Sequence, residues 1–445
     1  MAHRTPTAPP GAAAAPLALS GHSVEGVNRC VHCGLCLPYC PTFSELGTEM
    51  DSPRGRIVLI KSLAEGRVAL TDSVVSHLDL CLGCRACETA CPSGVPYGQL
   101  IEAARAEIER QRPGHWARRL FRWANFSLLL PRPRLLRLAA SALRAYQVSG
   151  LQRLARGVGL TRLLPGPLGD WEPLLPEVPP AKDRAPLPER TPPVPPRRAI
   201  AGLLTGCIQQ AAFGPQNRAT ARVLALNGAE VVAPREQGCC GALHAHGGEH
   251  ETALDLARQT IGLFEAAGVD VVIVNTSGCG AHMKGYGALL ADDPRWAERA
   301  RRFAARVRDV AEFLAEAPLR GPLRPVARTV TYHDPCHVVH GQKIRKEPRA
   351  LLGQVPGLRV VELRESDWCC GSAGTYNLTQ PEMATRLLER KVRHIRATGA
   401  ECVVTANPGC IIQIAHGLRG AGAPVEVVHL VDVLDQAYGG AGGRG

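Results

Sequence analysis

The chain has 445 residues, 21% of them charged and only 4% aromatic, with 17 cysteines and a formal net charge of +12. That length supports several domains with sizeable cores, and no run of about 18 uninterrupted apolar residues offers a membrane-spanning helix. The basicity is local: residues 112–165 hold eleven arginines and no Asp, Glu or Lys, which with so few stacking aromatics argues against nucleic acid as a partner.

Residues 1–22 are rich in Ala, Pro and Gly and read as a disordered lead-in. They lack a continuous apolar stretch or a twin-arginine pair, so no export signal is expected. An odd cysteine count in a long chain points to a reducing compartment. The expected location is cytoplasmic, with a peripheral position on the inner face of the membrane as a further expectation.

Residues 23–111 form the first domain. Cys30-x-x-Cys33-x-x-Cys36-x-x-x-Cys40-Pro41 recurs as Cys81-x-x-Cys84-x-x-Cys87-x-x-x-Cys91-Pro92, each cysteine displaced by 51 positions. Three thiolates at two-residue gaps wrap three corners of an iron–sulfur cube, and the fourth, before proline, reaches the other cluster. One [4Fe–4S] cluster is therefore assigned to Cys30, Cys33, Cys36 and Cys91, and a second to Cys81, Cys84, Cys87 and Cys40. Structural zinc also uses Cys-x-x-Cys pairs, but leaves the third step and the Cys-Pro unexplained. Pro53–Lys61 reads as a loop entering a helix. Tyr97–Glu109 reads as a helix burying Leu100, Ile101, Ala104 and Ile108. The clusters are expected to replace much of this domain's apolar core.

Residues 112–196 follow as an arginine-rich, then proline-rich connector. Its first part reads either as a solvated, partly helical link or as a docking helix for a partner or an anionic membrane face. The stretch from Pro165 to Pro196 reads as an extended linker.

From Arg197 onward, apolar runs alternate with helical patterns, as in βαβ units. Strands are expected at Ala199–Thr205, Glu230–Ala233, Val269–Asn275, Thr329–His333, Leu358–Leu363, Cys402–Ala406 and Val425–His429. Helices are expected at Asn217–Leu226, Glu251–Ala267, Pro381–Ala397 and Ile411–Leu418. Cys207, Cys239, Cys240 and Cys279 recur as Cys336, Cys369, Cys370 and Cys410, displaced by 129 to 131 positions, and each Cys-Cys pair precedes a glycine. The chain thus carries two duplicated α/β cysteine-rich repeats, 197–322 and 323–438, and a flexible tail, 439–445. Thiolates just beyond strands suit metal, and these eight are candidate ligands. Cys402 reads as a core residue.

Cys33-Gly34-Leu35-Cys36, Pro53-Arg54-Gly55-Arg56 and Cys91-Pro92-Ser93-Gly94-Val95 resemble the glycolate oxidase iron–sulfur subunit family. The two Cys-Cys-Gly repeats are similar to domains that this family shares with heterodisulfide reductase, anaerobic glycerol-3-phosphate dehydrogenase and lactate-utilisation subunits. Cys207-Ile208-Gln209, Ser277–His282 and His333–His337 look most like the glycolate branch. The wider family ends each repeat with Cys-x-x-Cys, whereas Thr276 and Asn407 stand at the first of those positions here. Four thiolates per repeat leave open a further iron–sulfur cluster, zinc, or no metal; His282, His333 and His337 are nearby candidate donors.

No Gly-x-Gly-x-x-Gly lies between strand and helix, so no dinucleotide fingerprint is present. The resemblance implies an electron-transfer subunit that serves separate flavoprotein subunits of a glycolate dehydrogenase and passes electrons to a quinone-type acceptor. D-lactate, 2-hydroxyglutarate or glycerol-3-phosphate are alternative substrates of such a complex. A thiol/disulfide or quinone reductase acting on its own at the repeats is the alternative of a different class.

Overall fold

The computed structural model describes residues 16–17, 21–112, 114–159 and 168–440. Most of the lead-in and tail lie outside these. Of the lead-in, Leu17 is buried and donates its N–H to Leu63, and a helix spans Gly21–Asn28.

The N-terminal domain is helical. Helices Pro53–Ala64 and Asp72–Asp79 start where Ser52 and Thr71 accept N–H bonds from Gly55 and Val74, and Pro53 occupies the first turn of the former. Tyr97–Gln111 buries Leu100, Ile101, Ala104 and Ile108, the face expected from its spacing. These pack with Val27, Ile57, Ile60, Leu63 and Leu78 into a continuous apolar cluster. The domain therefore has a substantial core beside its cysteines, because four helices contribute apolar side chains to it.

The rest is built on two sheets. The first contains β1 (Arg190–Thr191), β2 (Ala199–Leu204), β3 (Ala229–Val232), β4 (Val271–Val274) and β5 (Val307–Asp309), in the order β1-β3-β2-β4-β5. The second contains β6 (Arg328–Tyr332), β7 (Leu358–Val361), β8 (Cys402–Thr405) and β9 (Glu426–His429), in the order β7-β6-β8-β9. All pairings are parallel except β1 on β3. Such strands are covered on both faces and read as continuous apolar runs, which is why seven were legible in the sequence. The three-residue β5 and two-residue β1 are too short to leave a pattern. Ala201 pairs with Val271 as Val330 pairs with Cys402, so the duplication extends to strand register.

The two sheets share one core, in which helix Gly214–Leu226 packs on helix Leu430–Ala437. At this seam Arg222 Nε lies 2.9 Å from Asp435 Oδ1, and His429 Nε2 lies 2.8 Å from the Asn275 carbonyl.

The arginine-rich connector is more ordered than a solvated link. It forms helices Trp116–Arg122, Pro133–Val148 and Leu151–Gly157, with a wider π-type turn between the first two. Phe126 is buried against the His244 ring. Arg122 pairs with Glu109 and Glu249, and Arg156 with Glu172. The proline-rich stretch, read as extended, contains short helical turns, and Trp171 Nε1 donates to the Leu378 carbonyl at 3.1 Å.

Candidate metal centres

The two cysteine loops of the N-terminal domain repeat each other in backbone as well as sequence. The first enters the left-handed region at His32 (φ 56°) and Gly34 (φ 80°), the second at Gly83 (φ 65°) and Arg85 (φ 64°). These positions correspond under the same 51-residue displacement. A non-glycine residue pays for that conformation, so His32 and Arg85 are held by the loop's closure and not by local preference. Cys40 and Cys91 are both extended, and Pro41 opens helix Pro41–Leu46; Pro92 opens none.

This folding gathers the cysteines around two adjoining cavities. One, of about 430 Å³, is lined by Cys30, Cys33, Cys36 and Cys91, with Cys87 also in its wall. The other, of about 290 Å³, is lined by Cys40, Cys81, Cys84 and Cys87. Each quartet takes three sulfurs from one loop and the fourth from the other. Tyr97 stands between the cavities and donates from its hydroxyl towards Cys81 Sγ at 3.6 Å.

The electrostatics differ. The first cavity opens to the surface beside exposed Cys33, Val31 and Leu35. The second lies deeper, with Cys40, Cys81 and Cys87 buried. Burial pushes the Cys36 thiol up to about 11 and those of Cys84 and Cys87 well above the ordinary range. Burial opposes ionisation of Cys81 too, but the charges of Arg56 and Arg105 outweigh it and bring that thiol down. Arg56 is 1% exposed; it donates to the His77 carbonyl at 2.6 Å and to Thr42 Oγ1 at 3.1 Å, and lies 3.5 Å from Asp51. Soft sulfur donors in fours, around apolar cavities with buried cationic support, fit iron–sulfur clusters.

The second loop docks into the second repeat. Tyr376 donates to the Leu80 carbonyl at 2.9 Å, His337 Nε2 lies 3.1 Å from the Gly83 carbonyl, and Leu82, Cys84, Cys336 and Cys369 belong to one apolar cluster. After burial, the charge of Cys336 does most to raise the Cys84 thiol. A third thiol group therefore adjoins the deeper cavity.

In the first repeat Cys207 precedes helix Ile208–Ala212, Cys239 and Cys240 precede Ala242–His246, and Cys279 lies on Ser277–Lys284. The Sγ atoms of Cys207 and Cys239 are 3.7 Å apart. His244 Nδ1 lies 3.9 Å from Cys239, its Nε2 held by the Phe126 carbonyl at 2.8 Å. In the second repeat His333, Cys370 and Cys410 bring one donor atom each within 4.8 Å of one another. Cys369 couples to both Cys336 and Cys370. The glycines after the pairs are required: Gly371 has φ 89°, and a Cβ there would lie 2.6 Å from the Ala384 carbonyl oxygen.

The three histidines singled out in the sequence part company here. His337 is bonded to Gly83, and burial lowers it to about 3. His282 lies edge-on to Tyr286, and burial lowers it to about 4. His333 alone has both ring nitrogens buried without a nitrogen or oxygen partner. Cys402 sits in β8, fully buried, its thiol pushed up to about 12 by burial. Sequence reasoning missed Arg56, His244 and Lys391, which lie outside any cysteine motif; only Arg56, in Pro53-Arg54-Gly55-Arg56, left a signal.

Comparison with known proteins agrees with this organisation. Residues 26–95 match the 4Fe-4S dicluster domain, 117–175 the linker region of the glycolate oxidase iron-sulfur subunit, and 201–284 and 330–415 the cysteine-rich domain. A probable glycolate oxidase iron-sulfur subunit of Bacillus subtilis is 43% identical over 92% of this chain and 94% of its own length. The glycolate oxidase iron-sulfur subunit of Escherichia coli is 35% identical over 92% and 94% respectively. Lactate utilization protein A of Shouchella clausii is 32% identical over 52% of this chain and 97% of its own. With a helical dicluster domain, a matching linker and two α/β cysteine-rich domains along almost its whole length, the chain belongs to the family of glycolate oxidase iron–sulfur subunits.

Proposed function

We propose that the chain is the electron-transfer subunit of a flavin-dependent 2-hydroxy-acid dehydrogenase that converts glycolate to glyoxylate. The observation that carries this is the arrangement of thiols: a quartet at the surface, a second quartet behind it, and the second repeat's thiols against the second quartet. Oxidation of glycolate releases two electrons and two protons, which the flavin of a partner subunit accepts together. Bound [4Fe–4S] clusters supply one-electron carriers. Cys30, Cys33, Cys36 and Cys91 would hold the outer one, and Cys40, Cys81, Cys84 and Cys87 the inner. Arg56 supports negative charge at the inner quartet, and Tyr97 directs its hydroxyl at Cys81. The exposed Val31 and Leu35 beside the outer quartet support its being the side that receives electrons from the flavoprotein. Electrons leave for a quinone-type acceptor, which takes two electrons and two protons.

Reconstitution of the complex tests this. Cys33→Ser and Cys84→Ser should each remove one of two low-temperature EPR signals and abolish glycolate-dependent quinone reduction; unchanged turnover would refute the relay. Lactate is the second substrate reading, favoured by the lactate utilization relatives; comparing glycolate with D-lactate and its enantiomer in the same complex reads it out.

No helix among the described residues is long and apolar enough to cross a membrane. The connector exposes Trp116, Leu120, Trp123, Leu151 and Leu154 alongside exposed Arg119, Arg132, Arg134 and Arg153, a composition suited to an anionic membrane surface. Serine at Trp116, Leu120 and Trp123 together should weaken co-sedimentation with anionic vesicles. Undiminished binding would leave the segment as a structural connector.

A further inference from the structure

The two cysteine-rich repeats are duplicates in thiol pattern and strand register, but not in what surrounds the thiols. Register equates Val330 with Ala201, each pairing at the same point of its neighbouring strand. His333 therefore corresponds to Leu204. On the following helices Gly371 lies against Ala384 as Gly241 lies against Ala253, which equates Lys391 with Thr260. The second repeat thus has a histidine and a lysine where the first has an aliphatic side chain and a hydroxyl.

Both residues are buried, at 1% exposure each. The His333 imidazole makes no hydrogen bond to a nitrogen or oxygen; its polar contact is with the Cys370 thiol. One of its nitrogens lies within 4.8 Å of the Cys370 and Cys410 sulfurs. Lys391 Nζ donates to the Glu365 and Ser366 carbonyls, just upstream of Cys369 and Cys370. Asn407 fills the place of the fifth thiolate of the wider family and turns its amide towards Cys410 Sγ at 3.4 Å.

We infer that the second repeat binds an iron–sulfur centre in which His333 is a ligand alongside Cys336, Cys369, Cys370 and Cys410, taking over the donor role that Asn407 lacks. The inference deepens the relay reading and rests on it. Five donors exceed the four of a closed tetrahedral zinc site, whereas iron–sulfur centres accept imidazole in place of thiolate and gain a higher reduction potential by it. The buried Lys391 ammonium acts in the same direction by favouring added negative charge. Beside Cys84, such a centre lies downhill of the inner cubane. The first repeat has Leu204 and Thr260 at these two positions, and its own imidazole, His244, approaches Cys239 from a different helix with its second nitrogen tied to the Phe126 carbonyl.

The test uses the full chain prepared anaerobically, with iron and zinc analysis, redox titration and pulsed EPR on protein carrying ¹⁵N-labelled histidine. The expected result is iron above the roughly eight atoms of two cubanes, with one centre coupled to a histidine nitrogen. His333→Leu should lose that coupling and the extra iron while both cubane signals persist, which also shows that the variant is folded. His333→Cys should keep the iron, lose the nitrogen coupling and shift that centre's midpoint potential downward. Iron near eight with zinc in the repeats would overturn the inference, as would nitrogen coupling that survives His333→Leu and disappears in His244→Leu. In either case loss of quinone reduction in Cys84→Ser would leave the relay reading standing, so the two fail separately.

Discussion

Arg56→Met is the sharpest stability test of the inner quartet. The guanidinium is 1% exposed, donates to the His77 carbonyl and Thr42 Oγ1, and faces Asp51, itself 4% exposed. Methionine fills most of the volume but strands the Asp51 carboxylate, which retains His77 Nδ1 at 2.8 Å. Removing one partner of a buried pair costs about 3–5 kcal/mol, because the remaining charge is left in a poor solvent. The surface pair Arg54–Glu49, at 2.7 Å and 29% and 48% side-chain exposure, is the contrast: water screens it, and Arg54→Met should cost about 1 kcal/mol or less. The assay is denaturant unfolding of the anaerobic holoprotein, followed through the low-temperature EPR signals of the two cubanes so that the N-terminal domain is read apart from the repeats. Adding Asp51→Asn to Arg56→Met should recover part of the loss, since the stranded charge is its main source. A cost below about 1 kcal/mol for Arg56→Met, or no recovery in the double variant, would refute the reasoning.

Other outcomes follow from the same geometry. Gly371→Ala should be destabilising by several times the roughly 1 kcal/mol of a strained φ, because its Cβ meets the Ala384 carbonyl at 2.6 Å, whereas Gly241→Ala, with its nearest backbone contact at 3.3 Å, should cost less; thermal denaturation compares the two. Burial raises Asp309 from 3.8 to about 7. Its stabilising contribution is therefore complete below pH 3.8 and is lost as pH rises through 7, where the buried carboxyl must ionise, a span worth up to about 4 kcal/mol. Asp309→Asn keeps a good cap for helix Val310–Ala315 and should flatten the pH–stability curve between pH 4 and 7, with a gain at pH 8; an unchanged curve would contradict it. Phe126→Ala should cost about 3–5 kcal/mol and loosen the connector from His244, seen as faster proteolysis within residues 116–148.

The alternating apolar runs, the 51-residue displacement of the thiols and the repeat near 130 residues are one-dimensional signals, and they determined the fold class, the order of the domains and both quartets as candidates. Parallel strands and amphipathic helices write themselves into sequence because burial is periodic along them. Tertiary structure alone decided which groups meet across long separations. Cys84 joins Cys336 in one cluster, Phe126 lies against His244, and Arg56 shares a cavity wall with Cys81, and no local pattern announces these pairings because neither segment records its partner. The same holds for the asymmetry of the repeats. In sequence His333 is one of three histidines near the repeat thiols; strand register and burial, which leave it the Cys370 thiol and no nitrogen or oxygen partner, are what set it apart.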